Sequence, residues 1–282
     1  HYRRPREYGF HTFLLVCLSI GVVFLVVLLL YLLLEGWPRL DLDLFRNQGS
    51  QISPATAGAQ AAIYGTLWLM AGTAVLILPL GVMSAIYLEE YADPEKWYNR
   101  LIEVNIQNLA AVPSVVYGIL GLGLVVRGPL SLGPVLLAGM IILALLVLPV
   151  VIISSREAIR AVPDSIRDGS LALGATRWQT IWRTTLPNSV PGIATGSILA
   201  LSRAIGEAAP LVIIGVALTV TFNPASVYDR FTTLPMQIYS YAQRPQEDFI
   251  ILSSALIIVL LVILLAMNSV AIFIRNKYQR RW

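Results

Sequence analysis

The chain has 282 residues, of which 57% are hydrophobic and only 13% are charged. A soluble domain has about 25% charged residues, so this chain carries roughly half the charge needed to cover a water-facing surface. The composition excludes soluble, disordered and fibrous proteins and predicts an integral membrane protein. One cysteine, Cys17, and two histidines, His1 and His11, exclude a disulfide framework and a Cys/His zinc site built by this chain alone. The first residue is not Met, so we expect a few residues to precede it.

Six apolar regions are candidates to cross the membrane as helices, each of which needs about 20 residues. Five of them are uncharged runs, at 12–34, 61–88, 104–126, 132–154 and 249–274. The remaining region, 187–229, is apolar except for Arg203 and Glu207 in its middle. It could form one span or two.

The positions of the cations decide between these possibilities. With one span in 187–229, a single side of the membrane holds 14 of the 20 Lys and Arg residues: Arg3, Arg4, Arg6, Lys96, Arg100, Arg156, Arg160, Arg167, Arg177, Arg183, Arg275, Lys277, Arg280 and Arg281. The other side holds Arg39, Arg46, Arg127, Arg230 and Arg244. Basic loops stay in the cytoplasm, and a seventh span would place the C-terminal cations outside. We therefore expect an all-α protein with six transmembrane helices and both termini cytoplasmic.

The same distribution defines the organisation of the chain and argues against a nucleic-acid partner. Residues 1–60 are predicted to form an N-terminal transmembrane helix and an external loop, and residues 61–282 a core of five transmembrane helices. The net charge of +4 comes from basic residues that flank helices, not from a compact basic patch with interleaved aromatics. It indicates membrane topology, not nucleic-acid binding.

The segment 156–188 is predicted to be an ordered cytoplasmic loop containing two short helices. Pro163 suits the first position of a helix, and Gly174 suits the left-handed conformation that ends one. The residues Thr176–Gln179 form a capping box, T-x-x-Q, which starts a second helix. We expect Pro187 to end that helix.

Two other interpretations of this loop stay open. It could be an ordered loop without a partner. A helix–turn–helix DNA reader is also compatible with a glycine turn between short helices. Anchoring between two membrane spans and two tryptophans on the second helix, Trp178 and Trp182, disfavour the DNA reader.

The loop resembles the EAA loop of ABC-importer permeases, whose pattern is E-A-A, three residues, Gly, nine residues and I-x-L-P. Here the pattern runs from Asp168 through Gly174 to Thr184-Thr185-Leu186-Pro187. Asp replaces Glu, Gly-Ser replaces Ala-Ala, and Thr184 stands where Ile is usual. The resemblance implies a type I ABC-importer permease fold with a coupling helix that docks into a groove on an ATPase subunit. The residues it assigns to coupling are Asp168, Gly169, Ser170, Gly174, Ala175, Trp178, Trp182, Leu186 and Pro187.

The second informative feature is the charged pair Arg203 and Glu207 within a span. An arginine near the middle of a span costs about 2.5–3.5 kcal/mol, so by default it faces an interior or a water-filled cavity and has a function. The two residues are four apart and are expected to share one helical face. The planar guanidinium suits bidentate binding of a tetrahedral oxyanion, and Glu207 would hold it or weaken its affinity so that the anion can leave. A purely structural ion pair is the alternative.

The sequence RAIGEAAPL at 203–211 is similar to the R-A-(I/L)-G-E-T-A-P-L stretch of phosphate-importer permeases. Three other segments are similar to the same family: AIYLEEYA at 85–92, VPSVVYG at 112–118 and LPMQIY at 234–239. The last of these, with RPQE at 244–247, favours the PstA-type chain over its PstC-type partner. The resemblance extends from about Ala61 to the C-terminus and implies that Arg203 and Glu207 handle phosphate.

This resemblance implies a permease of inorganic phosphate in the bacterial cytoplasmic (inner) membrane, in contact with lipid. Its partners would be a PstC-like permease subunit, a dimer of PstB-like ABC ATPases and a PstS-like phosphate-binding protein. The chain has no G-x-x-x-x-G-K-[ST] run, so ATP and Mg²⁺ are expected on the ATPase. We expect no catalytic, cofactor or metal site in this chain. The alternatives are a permease for another oxyanion such as sulfate or molybdate, a stand-alone channel or secondary transporter, and a membrane-tethered DNA-binding regulator.

Overall fold

The computed structural model of the protein describes residues 5–278. Arg3, Arg4, Arg280 and Arg281, which the topology prediction uses, lie outside that range. Every regular element within it is a helix, which confirms the all-α class. The helices are α1 (Pro5–Gly36), α2 (Leu42–Arg46), α3 (Gln60–Ile86), α4 (Trp97–Ala110), α5 (Ser114–Gly121), α6 (Leu136–Arg160), α7 (Asp164–Ala172), α8 (Arg177–Thr180), α9 (Leu186–Ile205), α10 (Ala209–Ile213), α11 (Leu234–Ala242) and α12 (Glu247–Tyr278). A 3₁₀ turn (Trp37–Arg39) follows α1, and π-helical turns follow α3 (Tyr87–Tyr91), α5 (Leu122–Val126) and α8 (Ile181–Thr185).

Four helices among the described residues are long and apolar enough to cross a membrane: α1, α3, α6 and α12. A fifth candidate consists of α4 and α5, which meet at an angle of 104°. The region 104–126, predicted to be a span, is therefore bent in its middle, and its crossing of the membrane stays a prediction. The bend follows from Pro113, because a proline disfavours the helical conformation of the residue before it, and α4 ends three residues earlier at Ala110.

The region 187–229 contains one helix of span length, α9. Its 20 residues correspond to about 30 Å, enough to cross the hydrocarbon core. It is rich in Pro, Gly and Ser, and it is not among the described helices that are apolar enough to cross a membrane by composition. The chain then breaks, forms the five-residue α10 and continues without a long helix to Thr233. This arrangement favours one span over two here, and the total of six spans stays a prediction.

Small residues bring α6 and α9 into close contact. Gly192 and Gly196 are spaced as G-x-x-x-G, a pattern that allows helix backbones to approach in membranes. A Cβ atom added to Gly192 would lie 2.6 Å from the Cβ atom of Ala158, and one added to Gly196 would overlap Ser154. The helices α3, α6, α9 and α12 pack in that order, and α1 lies along α12.

The two ends of this bundle differ in character. One end, called the basic end below, carries α7, α8 and the ends of α3 and α6, above a cluster that includes Ile86, Ile159 and Ile181. At the opposite end the segment 47–60 is held by side-chain hydrogen bonds. The Arg39 guanidinium donates to the carbonyl oxygens of Pro54, Ala55 and Ala57.

The helix α11 completes this opposite end. The Gln237 Nε2 atom donates to the Gly58 carbonyl oxygen at 2.9 Å and to the Tyr241 hydroxyl oxygen at 2.6 Å. Burial raises the pKa of the Tyr241 phenol, so this group stays neutral at neutral pH. The segment 234–239, singled out by its resemblance to permeases, thus anchors the loop that precedes α3.

We expect Gly196→Val to destabilise the bundle, because the new side chain must push α6 away from α9. Overpacking of this kind costs about 1–3 kcal/mol. The measurement is the thermal unfolding midpoint of the purified protein in detergent. The control is Gly21→Val in α1, where an added Cβ atom meets nothing within 4 Å. Equal midpoints for both variants would contradict the close packing.

Candidate functional site

Arg203 lies in the last turn of α9, and Glu207 lies in the break between α9 and α10. The expectation of one continuous helical face is wrong, because α9 ends at Ile205. The cause is Pro210, which has no N–H to donate to the carbonyl of Gly206 and whose ring clashes with that carbonyl in a continuous helix. The predicted pair still forms: the Arg203 Nε atom lies 3.6 Å from the Glu207 Oε1 atom.

The environment of Arg203 leaves its guanidinium available. Its side chain is 45% exposed, whereas that of Glu207 is 20% exposed. Within the described part of the chain, no hydrogen bond occupies the Arg203 donors, and the ion pair with Glu207 is its only salt bridge. The negative end of the α9 dipole favours a cation at this position. The arrangement can therefore offer several N–H donors to an anion.

The turn of α9 that carries Arg203 is fixed on two sides. Ala200 and Ala204 pack in a buried cluster with Tyr117 of α5. On another side the Ser202 hydroxyl donates to the Asn268 side-chain oxygen in α12 at 2.7 Å. Arg203 is thus exposed on a well-held helix end.

The two interrupted spans meet directly. A Cβ atom added to Gly118 in α5 would lie 2.9 Å from the Cα atom of Pro210 in α10, so only glycine allows this approach without a shift. The bend between α4 and α5 is closed by Tyr117, whose hydroxyl donates to the Leu109 carbonyl oxygen at 2.9 Å. The family-like segments 112–118 and 203–211 therefore form one joint.

The predicted loop at the basic end has the expected local structure in part. Gly174 has a φ of +85°, which a side chain would strain, and it separates α7 from α8. The capping box between Thr176 and Gln179 is present in both directions. Pro187 does not end the second helix, contrary to expectation. Helical backbone continues from Arg177 through the widened π turn into α9. The Leu186 N–H bonds to the Ile181 carbonyl five residues back, and the chain passes Pro187 without ending the helix.

The residues that the resemblance assigns to coupling are either exposed or half-buried. Trp178 and Trp182 are 59% and 48% exposed, with ring centroids 5.3 Å apart in an edge-to-face arrangement. The other exposed members are Asp168, Gly169, Gly174 and Pro187. Ser170, Ala175 and Leu186 are half-buried. Ser170 shares a hydrogen bond of 3.0 Å with the Thr180 hydroxyl, and Leu186 packs against the cluster of isoleucines at the basic end.

Sequence reasoning missed the role of two adjacent acidic residues, Glu89 and Glu90, at the end of α3. Glu89 forms salt bridges with Arg156 and Arg160, and Glu90 forms one with Arg167. The signal was present as two acids directly after a 28-residue apolar run, facing a loop with five arginines. Nothing in the local pattern specified which acid meets which arginine.

Residues 77–281 match the family of the binding-protein-dependent transport system inner membrane component. This match covers most of the chain. The chain belongs to this family.

Two relatives are similar in sequence to most of this chain. The phosphate transport system permease protein PstA 1 of Mycobacterium tuberculosis is 31% identical over 247 residues, covering 86% of this chain and 80% of that protein. The phosphate transport system permease protein PstA of Yersinia pestis is 32% identical over 260 residues, covering 92% and 86%.

The fold is also similar to solved permeases. A bacterial ABC transporter involved in the import of the acidic polysaccharide alginate aligns with a TM-score of 0.69 at 18% identity, over 98% of this chain and 97% of that one. At this identity the likeness shows the fold alone. The permease therefore has the type I ABC-importer fold that the sequence predicted, and it is a non-catalytic, multi-pass membrane component of an ABC transporter.

We expect a cysteine at position 203 to react with a membrane-impermeant thiol reagent in the assembled transporter. The Arg203 side chain is 45% exposed, whereas Ala204 is 1% exposed. The experiment compares Arg203→Cys with Ala204→Cys, both in a Cys17→Ser background, by the rate of labelling. Equal rates would contradict a water-filled path that reaches Arg203.

Proposed function

We propose that this permease is a membrane subunit of an ATP-driven importer of inorganic phosphate and forms half of its translocation pathway. The observation that carries the proposal is the available guanidinium of Arg203, held at a break in a span next to Glu207. The PstA relatives from Mycobacterium tuberculosis and Yersinia pestis, both named as phosphate transport permeases, support phosphate as the anion.

The geometry supplies both binding and release. The guanidinium fork matches two oxygens of a tetrahedral oxyanion. The Glu207 carboxylate, 3.6 Å away, repels the anion and competes for the same donors. Bound phosphate therefore displaces part of an existing ion pair, and the pair re-forms when phosphate leaves. A transported ion must bind loosely enough to depart.

The basic end faces the cytoplasm in this proposal, and both termini lie there. Trp178 and Trp182 then form an exposed apolar surface for a PstB-like ATPase dimer, which binds ATP and Mg²⁺. A PstC-like subunit supplies the other half of the pathway. A PstS-like binding protein docks at the opposite end, on the loops held by Arg39 and Gln237.

Arg203→Ala is expected to abolish phosphate uptake while the complex still assembles and binds ATP, because the anion loses its donors. Arg203→Lys should retain at most part of the activity, since an ammonium is a point charge and not a fork. The measurement is uptake of labelled phosphate into proteoliposomes that contain the complete transporter.

The matched control is Arg100→Ala, which removes an exposed arginine from α4 and should leave uptake unchanged. If the Arg203→Ala transporter takes up phosphate at the wild-type rate and affinity, Arg203 is not a ligand of the anion. If sulfate or molybdate competes with phosphate for uptake, the permease transports another oxyanion. If phosphate enters without ATP, the protein is a channel or a secondary transporter.

A second prediction concerns the ATPase contact. The double variant Trp178→Ala with Trp182→Ala should lose co-purification of the ATPase, because it removes an exposed aromatic pair of the kind that dominates interfaces. Trp97→Ala, which removes a tryptophan that is 75% exposed at the start of α4, is the control. Equal recovery of ATPase with both variants would place the contact elsewhere.

A further inference from the structure

The helix α7 is attached to the rest of the protein in an unusual way. None of its residues is fully buried, and Ile166 is its one half-buried apolar side chain, so apolar packing contributes little to holding it against the bundle. The short connections 161–163 and 173–176 join it covalently to α6 and α8. Its remaining attachment depends on polar side chains: Ser170 shares a hydrogen bond with Thr180, and one arginine makes the contacts with the membrane spans.

That arginine is Arg167, which joins three elements. Its Nη1 atom lies 2.7 Å from the Asp164 carboxylate within α7. Its Nη2 atom donates to the Ile159 carbonyl oxygen, at the end of α6, at 2.7 Å. The same Nη2 atom lies 3.3 Å from the Glu90 carboxylate at the end of α3. Arg167 therefore links α7 to two membrane spans at once.

Glu90 is positioned to receive this link. It is only 9% exposed, and burying a carboxylate is costly unless a cation accompanies it. Its own backbone carbonyl accepts a hydrogen bond from Arg177 of α8, and the Arg177 guanidinium lies 5.2 Å from the centre of the Tyr91 ring. One turn of backbone at the end of α3 thus contacts both helices of the loop.

The neighbouring Glu89 ties the spans to each other. It accepts two hydrogen bonds of 2.9 Å from Arg160 of α6. Arg156 lies 3.5 Å from Glu89 and also 3.0 Å from Glu103 of α4. The ends of α3, α4 and α6 are therefore joined in one ionic network, to which α7 is attached through Glu90 and Arg167.

We propose that Arg167 and Glu90 are positioning residues that make α7 move as one body with α3 and α6. This inference rests on the proposed function, in which the ATPase moves the loop. A displacement of α7 then reaches the spans directly, because the ion pair resists sliding of α7 over their ends. Without the pair, α7 keeps its contact with the Ile159 carbonyl of α6 but loses its ionic link to the backbone turn after α3, so less of its displacement reaches the spans.

The experiment measures phosphate transported per ATP hydrolysed by the complete transporter in proteoliposomes. Glu90→Gln removes the charge but keeps the shape, and Arg167 retains Asp164 and the Ile159 carbonyl, so the loop keeps its fold. We expect the ratio to fall by about tenfold, within the range typical of coupling between sites, while ATPase co-purification is unchanged. Arg167→Lys keeps the charge but lacks the fork and should give an intermediate ratio.

The matched controls are Glu95→Gln and Arg100→Lys, which alter exposed residues near the same end of the protein and should keep the wild-type ratio. If Glu90→Gln and Arg167→Lys also keep that ratio, the positioning role is overturned. If they lose ATPase binding in proportion to transport, the pair only maintains structure, which overturns it as well. Wild-type protein that moves no phosphate would refute the proposed function instead.

Discussion

The contact between Gly118 and Pro210 is the constraint on which the central part of this permease depends. A helix that breaks inside a membrane leaves backbone groups that lipid cannot satisfy, so the break must be covered by protein. Here α5, which itself starts after a bend, covers the break after α9. The absence of a side chain at Gly118 lets the two backbones approach. Arg203 owes its position to this joint, because the helix end that carries it is created by the break.

The few charged residues of this protein fall into two groups with different roles, and the arginines of the basic end have two roles. The arginines of the basic end are the residues whose number predicts a cytoplasmic location for it, since cations resist translocation. The same side chains bind Glu89 and Glu90 and so attach the loop to the spans. Arg203 and Glu207 differ in their hydrogen bonding: they lie 3.6 Å apart, and no hydrogen bond within the described residues occupies the Arg203 donors, whereas Arg160 donates two to Glu89. Ion pairs at the basic end hold structure, whereas the pair in the span leaves its cation available.

The features that sequence could predict are those set by neighbouring residues. The left-handed turn at Gly174 and the capping box at Thr176 depend on a few consecutive positions, and both were predicted. The pairing of Arg203 with Glu207 was predicted from their spacing, although the break beneath them was not, because the spacing of two residues does not show that Pro210 ends the helix that carries them. The link between Arg160 and Glu89 joins residues 71 positions apart. Only the packing of α3 against α6 brings them together.

The helical backbone is continuous from α8 into α9, so a tilt about one end of this stretch displaces its other end. Trp178 and Arg203 lie on one continuous stretch of helical backbone that includes a π turn, separated by 25 residues or about 38 Å at 1.5 Å per residue. A tilt of about 10° pivoting near one end moves the other by about 6–7 Å at this length. That distance exceeds the diameter of a small oxyanion. A modest tilt of this stretch therefore displaces one of its ends by more than the diameter of such an ion.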